Sequence, residues 1–443
     1  LSEAPELVQP VASGWQLVLA FLAGIAVIVV LITWARLHPF LALIFGALTV
    51  GVVAGENLEK VLKSFSDGFG STAAGVGILI ALGAMFAKLL ADSGGADEIV
   101  DTIVGHASPR MLPWAMALVG SIIGLPMFFE IGLVLLMPVI YLVARRSGLS
   151  LVTVGIPALA GLSAMHGFVP PHPGPLTAVG LLNADLGLTL GLGVLVAIPT
   201  IVVAGPLFGK LAGRWVAVEA PDTFDADRFA DSGTAGVGAE HRRPSFGLTL
   251  FAVLLPVVLM MGKAIVDIGI KDESQVFRKV FDSLGTPVIA LLLAVIVGML
   301  TLGPGAGMSR AEIMKAVESG LPPVAGIILI VAAGGGFKQV LVDTGIGTML
   351  AEWAKQVNIS VLLLAWLLAV LIRLATGSAT VATITASSLV LGLVDGLSTP
   401  QVSLVVLAVG AGSLFFSHVN DAGFWNSPQH GAGSSPCVPS ALP

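Results

Sequence analysis

The sequence has 443 residues, of which 56 % are hydrophobic and 11 % are charged, and its formal net charge is −6. Soluble domains carry about 25 % charged residues, so this composition leaves too little polar surface for a soluble fold of this length. The small, dispersed negative charge offers no basic surface to nucleic acid. The composition predicts an all-α polytopic membrane protein, and the single cysteine excludes an internal disulfide.

The first part of the chain contains three apolar runs that predict membrane spans, at residues 15–34, 40–54 and 72–90. Residues 56–67 between the second and third runs are polar. Arg36 follows the first span, which places that turn in the cytoplasm and the N-terminus outside.

An apolar segment at residues 111–144 lies between Arg110 on one side and Arg145 with Arg146 on the other. If both flanks are cytoplasmic, the segment must enter and leave the membrane on the same side. Each half is short for a full span of roughly 20 residues. The segment therefore predicts a re-entrant hairpin with its tip at residues 124–130.

Residues 151–182 are apolar but contain a stretch, residues 161–175, that no continuous helix can cross. Proline lacks an amide donor and clashes with the preceding turn, so a run of prolines interrupts a helix. A broken membrane helix that carries titratable groups is typical of a substrate or ion site in a secondary transporter. The prolines are Pro170, Pro171, Pro173 and Pro175, and the histidines within the stretch are His166 and His172.

The pattern then recurs after a hydrophilic segment at residues 213–245, which predicts a cytoplasmic linker. A span at residues 188–211 precedes it. The elements predicted after the linker are spans at residues 246–270, 286–302 and 321–341, a second hairpin at 361–393, and a helix at 401–416 that leads into another break.

Two short segments match at an offset of 251 residues, namely residues 86–94 and residues 337–345. His418 then corresponds to His166, one residue out of step. An odd number of predicted crossings separates the halves, so they are expected to be inverted relative to each other. The predicted organisation is a first membrane repeat at 1–212, the linker, a second membrane repeat at 246–425, and a polar tail at 426–443.

Four motifs give the sequence a resemblance to the gluconate permease family. They lie at residues 166–175, 334–343, 377–382 and 417–421. The resemblance implies uptake of gluconate or a similar sugar acid with a proton across the bacterial cytoplasmic membrane. It also implies two inverted-topology repeats, each with a re-entrant hairpin and a broken transmembrane helix.

The C-terminus departs from this pattern. Residues 426–443 are polar and rich in Pro, Gly and Ser, whereas similar proteins continue with a further helix. An altered C-terminus would make this chain a non-transporting member of the family, which is one alternative. A sodium-coupled carboxylate or hydroxy-acid transporter is another.

Gluconate has one carboxylate and five hydroxyls, so its site needs amides that stabilise an anion and many hydrogen-bonding groups. Small hydroxylated residues at 376–380 stand where the second hairpin turns back, although they could serve only close helix packing. The two breaks supply imidazole and amide groups. The predicted substrate contacts are His166, His172, Gly174, Thr376, Gly377, Ser378, Thr380, His418 and Asn420.

The coupled proton needs a group that titrates within the membrane. Glu130 at the first hairpin tip, Asp421 in the second break and His172 in the first are the candidates. Each has a structural alternative, because a carboxylate can be capped by amides and an imidazole can bond to the carbonyls that a broken helix exposes.

Other polar residues have structural interpretations or alternatives. Asp92 and Asp343, each followed by Ser-Gly or Thr-Gly, predict helix ends. Arg373 could hold the substrate carboxylate or face lipid headgroups. No metal cluster, cofactor motif or paired nucleophile and base is visible, so the sequence predicts a transporter rather than an enzyme. The assembly is left open between a monomer and a homodimer.

Overall fold

The computed structural model describes residues 10–126, 129–216, 218, 242–270, 272, 275–346, 349, 360–376, 379–394 and 396–416. Most of the predicted linker and the whole predicted tail lie outside these residues. The regular structure within them is helical. The helices before the linker are α1 (Gly14–Thr33), α2 (Pro39–Val53), α3 (Leu58–Thr72), α4 (Ile78–Asp92), α5 (Gly95–Gly105), α6 (Leu112–Gly124), α7 (Phe129–Ser147), α8 (Leu151–Phe168), α9 (Pro173–Leu182), α10 (Leu186–Val202) and α11 (Phe208–Trp215).

The part of the chain after the linker is also helical. Its helices are α12 (Phe246–Gly269), α13 (Val276–Leu284), α14 (Pro287–Gly305), α15 (Arg310–Ser319), α16 (Pro322–Asp343), α17 (Val361–Thr376), α18 (Ala379–Leu389) and α19 (Thr399–Ser413).

Seven helical segments in the described ranges are long and apolar enough to cross a membrane. This confirms the prediction of a polytopic membrane protein. Each segment predicted as a hairpin contains two helices, α6 and α7 in the first and α17 and α18 in the second, and α6 and α18 have only 13 and 11 residues. The seven segments are Gly14–Ile32, Leu58–Asp92, Leu151–Leu182, Leu186–Trp215, Phe246–Lys263, Pro287–Gly305 and Arg310–Asp343.

The polar stretch before the third predicted span is helical, which corrects the predicted start of that span. A helical segment runs from Leu58 to Asp92 through a π-helical turn at Ala73–Gly77. Its charged residues lie on the exposed face of α3, where Lys63 forms an ion pair with Asp67 at 2.7 Å. A count of polar residues does not detect an amphipathic helix of this kind, because it ignores the helix face on which those residues lie. The short helices α5, α13 and α15 were not predicted either.

Asp92 and Asp343 are the last residues of α4 and α16. Gly94 and Gly345, two residues further on, have φ angles of 71° and 75°. Glycine adopts this left-handed conformation without a steric penalty, so it ends a helix readily. The structure confirms the predicted helix ends.

The buried apolar side chains form two large cores, and each draws on both halves of the sequence. One core joins α1, α2, α3 and α9 to α16, α17, α18 and α19. The other joins α4, α5, α6, α7 and α8 to α12 and α14. The halves are therefore interleaved in space, with α16 packed against α3 and α2, and α4 packed against α15 and α14.

Glycines allow the closest helix contacts. Two such glycines are 251 residues apart, which is the offset between the matching segments of the sequence. A Cβ atom at Gly161 of α8 would collide with the Ala117 carbonyl of α6. Gly412 of α19, 251 residues after Gly161, has the same relation to the Trp366 carbonyl of α17. The carbonyls that these two glycines approach, those of Ala117 and Trp366, are 249 residues apart.

A second pair of contacts has the same relation. Gly68 of α3 lies against the Gly335 carbonyl of α16, and Gly320 of α15 lies against the Ala84 carbonyl of α4. Ala84 and Gly335 are 251 residues apart, and Gly68 and Gly320 are 252 residues apart.

Candidate functional site

The predicted helix break is present and lies between α8 and α9. The helix stops at Phe168 because Pro170 and Pro171, whose peptide bond is cis, cannot donate the amide bonds that would extend it. The remaining donors are satisfied locally. The Val169 amide donates to the Met165 carbonyl at 3.1 Å, and the His172 amide donates to the Val169 carbonyl at 3.2 Å.

The break brings the two predicted histidines together. His166 Nδ1 lies 3.0 Å from His172 Nε2, and the ring centroids are 4.0 Å apart at an interplanar angle of 59°. Both side chains are buried, with exposed fractions of 5 % and 3 %. At this distance one ring donates a hydrogen bond and the other accepts it. The pair can thus hold a proton between two helix segments.

The first predicted hairpin reaches the same site. Phe129, the first residue of α7, contacts the His166 ring edge-to-face with centroids 5.9 Å apart. Glu130 is the next residue in the first turn of α7, where the N-terminal helix dipole favours an anion. Its side chain lies outside the described part of the structure, so its predicted role is untested.

A narrow cavity of about 20 Å³ adjoins His172. This volume has room for about one water molecule and is far too small for a sugar acid. This conformation, in which the described residues next to His172 leave no room for a sugar acid, is the closed conformation. The described lining residues are Leu79, Ile80, Gly83, Phe86, Leu125, Pro126, Pro171, His172, Pro173, Val253, Pro256, Val257 and Leu291.

Helix α18 meets the break at Gly174. A Cβ atom at Gly174 would lie 3.6 Å from Thr383 Oγ1 of α18 and 3.7 Å from the His166 carbonyl. Thr380, a predicted substrate contact, lies one turn before Thr383 and is half-buried. The prediction missed Thr383, although its spacing of three residues from Thr380 places both on one helix face.

The helices α8 and α19 cross next to the site. A Cβ atom at Gly167 would lie 3.3 Å from the Gly410 carbonyl. Beyond α19 the chain leads toward the second predicted break. Five predicted residues lie outside the described part of the structure, and Thr376 ends α17 with its side chain also outside it. The five are Gly377, Ser378, His418, Asn420 and Asp421.

Arg373 lies in the last turn of α17 and is buried, with 5 % of its surface exposed. Its burial contradicts the alternative that this side chain faces lipid headgroups. A buried arginine in a membrane helix is costly and usually serves a function. Within the described ranges no group of three or more His, Cys, Asp or Glu residues could hold a metal ion.

A broken membrane helix that carries buried titratable side chains is typical of secondary transporters. The family model for the GntP family permease matches residues 15–430, and the chain belongs to this family. It is therefore a permease and not an enzyme, and a multi-pass protein of the bacterial inner membrane.

Several curated relatives match over nearly their whole length. A gluconate permease of Pseudomonas aeruginosa is 47 % identical over 414 residues, which is 94 % of this chain and 90 % of the relative. The Gnt-II system L-idonate transporter of Escherichia coli is 39 % identical, with 91 % and 89 % covered. The high-affinity gluconate transporter of Escherichia coli is also 39 % identical, with the same coverage.

Two solved structures share the fold. The YdaH transporter of Alcanivorax borkumensis superposes with a TM-score of 0.57 at 19 % identity, covering 83 % of this chain and 80 % of that one. MtrF of Neisseria gonorrhoeae gives a TM-score of 0.55 at 15 % identity, covering 80 % and 74 %. At these identities the likeness concerns the fold alone.

Proposed function

We propose that this chain imports gluconate, or a closely related sugar acid, together with a proton. The observation that carries the proposal is the buried His166–His172 pair in the break between α8 and α9. Membership of the permease family and the 47 % identical gluconate permease support the choice of substrate.

The fold is proposed to consist of two inverted repeats, each with a re-entrant hairpin and a broken helix. The recurrence of close helix contacts at a spacing of 251 residues supports the repeat. Inversion would give the two halves opposite orientations in the membrane, so that one arrangement opens outward and the other inward. The shortness of α6 and α18 supports hairpins that do not cross the whole bilayer.

The proton is proposed to act on the histidine pair. With one hydrogen between Nδ1 of His166 and Nε2 of His172, the rings attract each other. One further proton, taken up at an outer ring nitrogen, would make one ring an imidazolium, whose N–H still donates to the other ring and binds it more strongly. Proton binding would thus hold α8 and α9 together at the break and add a positive charge that attracts the sugar-acid anion. Glu130 and Asp421 are the proposed carboxylates of the same proton path.

The sugar acid is proposed to bind between the first break and the second hairpin. Hydroxyl and imidazole groups on both sides would bind its hydroxyls, and Arg373 would bind its carboxylate. A guanidinium offers paired donors that match the geometry of a carboxylate. The remaining proposed contacts are Gly174, Thr376, Gly377, Ser378, Thr380, His418 and Asn420.

The test is uptake of labelled gluconate into vesicles that contain this chain, with an inward proton gradient and no sodium. Accumulation that a protonophore abolishes is the expected result. Accumulation that requires sodium would replace the proton with a sodium ion as the coupled cation. Verified insertion without uptake of any sugar acid would support the non-transporting alternative.

The substrate within the class needs a separate comparison, because one relative is an L-idonate transporter. Competition of unlabelled gluconate, L-idonate and shorter hydroxy acids against labelled gluconate ranks them directly. We expect gluconate to compete at the lowest concentration. A lower concentration for L-idonate would assign the chain to that substrate.

A further inference from the structure

The hydroxyl groups of α18 differ in their hydrogen bonding. Membrane helices usually satisfy Ser and Thr by a bond to the carbonyl four residues earlier. Thr383 Oγ1 donates to the Ala379 carbonyl at 2.9 Å. Ser388 Oγ donates to the Ile384 carbonyl at 3.0 Å and to the Gly334 carbonyl of α16 at 3.3 Å. Both follow the rule.

Ser387 and Thr385 do not follow this rule, since neither hydroxyl has a hydrogen-bond partner in the described part of the structure. Ser387 is the more deeply buried of the two, with 0 % of its surface exposed against 3 % for Thr385. A buried polar group without a partner is costly, and each such group in a native structure needs an explanation. A partner that arrives with a ligand is one explanation.

The position of Ser387 on the helix indicates where such a ligand would lie. Residues three and four apart share a helix face, so Ser387 lies on the face of Thr380 and Thr383. Thr383 on this face contacts Gly174 of the first break. A step of one residue turns about 100°, so Ser388 belongs to a different face, which packs against α16.

We propose that Thr380, Thr383 and Ser387 form a hydroxyl face that binds the polyhydroxy chain of the substrate, with Ser387 making the deepest contact. The inference rests on the proposed function, because it assigns part of the same site. Hydroxyl side chains suit a polyol, since each can both donate and accept a hydrogen bond. In the closed conformation the Ser387 hydroxyl has no hydrogen-bond partner, and a hydroxyl of the bound substrate provides one.

The test compares Ser387→Ala with the parent for uptake of gluconate and of gluconate analogues that each lack one hydroxyl. A lost hydrogen bond should raise the KM for gluconate by about threefold to tenfold. The KM for the one analogue that lacks the partner hydroxyl should stay the same. The KM for this analogue divided by the KM for gluconate therefore falls in Ser387→Ala. A change in packing alone would raise both KM values and leave this ratio unchanged.

Ser388→Ala is the matched control, because it removes a neighbouring buried hydroxyl from the face against α16. It should leave every KM ratio at the parental value. If Ser387→Ala also leaves all ratios unchanged while the parent transports gluconate, the inference is wrong and the proposed function stands. If the parent transports no sugar acid, the proposed function itself fails.

A second variant covers the case in which Ser387→Ala does not fold. Ser387→Cys in a Cys437→Ser background carries one thiol, because Cys437 is the only native cysteine. A small methanethiosulfonate reagent should modify this thiol during transport, and gluconate should slow the modification. Reaction at the same rate with and without gluconate, or none in a transporting variant, would overturn the inference.

Discussion

At the scale of single residues, the histidine pair combines three properties that a proton carrier needs. The rings are buried, they bond to each other at 3.0 Å, and they belong to different helix segments. Each ring has a nitrogen that can gain or lose a proton, so protonation can change the hydrogen bonding of the pair. The gain or loss of one proton would therefore change a hydrogen bond that joins α8 to α9.

We expect His172→Gln to separate proton coupling from substrate binding. The glutamine amide can replace the hydrogen bond of Nε2 to His166 but cannot take up a proton. Accumulation driven by a proton gradient should fall by about tenfold or more, the equivalent of about 1.4 kcal/mol or more. Exchange of labelled for unlabelled gluconate without a gradient should continue. Vesicle assays of both activities measure this difference.

His106→Gln is the control for this variant. His106 is exposed at the end of α5, where Nδ1 lies 2.7 Å from the Thr102 carbonyl, far along the chain from the break. It should leave both activities unchanged. Equal loss of exchange and accumulation in His172→Gln would show that His172 binds substrate without carrying the proton.

A second prediction at this scale concerns Asp97 in the first turn of α5, outside the membrane spans. Burial raises the pKa of this carboxyl above its ordinary value of 3.8, with Arg243 opposing the rise and Asp101 adding to it. The folded protein thus prefers protonated Asp97 more than the unfolded chain does. Stability is lost as pH rises through the range between the two pKa values.

Asp97→Asn should therefore be more stable than the parent at pH 7, and this advantage should shrink as pH approaches 4. Thermal unfolding of the purified protein in detergent at both pH values measures it. Asp101→Asn is the comparison, because its 2.6 Å bond to Arg243 is largely exposed and worth less than about 1 kcal/mol. A less stable Asp97→Asn at pH 7 would contradict the prediction.

At the scale of helices, contact distance is set by residues that lack a side chain. The pair α6 and α8 approaches at Gly161, where a Cβ atom would lie 2.7 Å from the Ser121 amide nitrogen. The equivalent pair α17 and α19 approaches at Gly412. In lipid, helix association depends on such close packing, because no hydrophobic effect drives the helices together.

We expect Gly161→Ala to destabilise the protein by about 1–3 kcal/mol, since the added methyl group forces α6 away from α8. Gly191→Ala in α10 is the matched control. Nothing lies within 4 Å of a Cβ atom at Gly191, so the substitution should be neutral or stabilise by about 0.5–1 kcal/mol. Thermal unfolding of both variants measures the difference, and equal melting temperatures would contradict the packing argument.

At the scale of the whole molecule, the interleaved cores tie both halves of the sequence to the site. The break belongs to the first half, and α18, which packs against it, belongs to the second. A rearrangement at the histidine pair would therefore reach both cores. The proposed symport would require such a coupling, because proton and substrate must favour the same conformation.

Linkage between the two ligands gives the prediction at this scale. If the proton and gluconate bind the same conformation, a bound proton must raise the affinity for gluconate. Bound gluconate must then raise the affinity for the proton by the same factor. The dissociation constant of gluconate for the purified protein should fall as pH falls. In His172→Gln this pH dependence should flatten. A parental affinity independent of pH would contradict proton coupling through the site.

Local rules made part of this molecule predictable from the sequence. Membrane spans follow from the length of apolar runs, and the break follows from prolines that cannot donate amide bonds. The helix ends at Asp92 and Asp343 follow from the glycine two residues later. The helix over the polar residues of α3 was not predicted, because a count of polar residues ignores which face they occupy.

The sequence by itself thus determined the membrane class, the break and the histidines within it, because these depend on neighbours along the chain. Only the tertiary structure decided that His166 and His172 bond to each other, that Thr383 meets Gly174, and that Ser387 lies buried without a partner. Thr383 and Gly174 are 209 residues apart. Contacts between residues so far apart in the chain depend on the packing of many helices together. A local sequence pattern does not predict that packing.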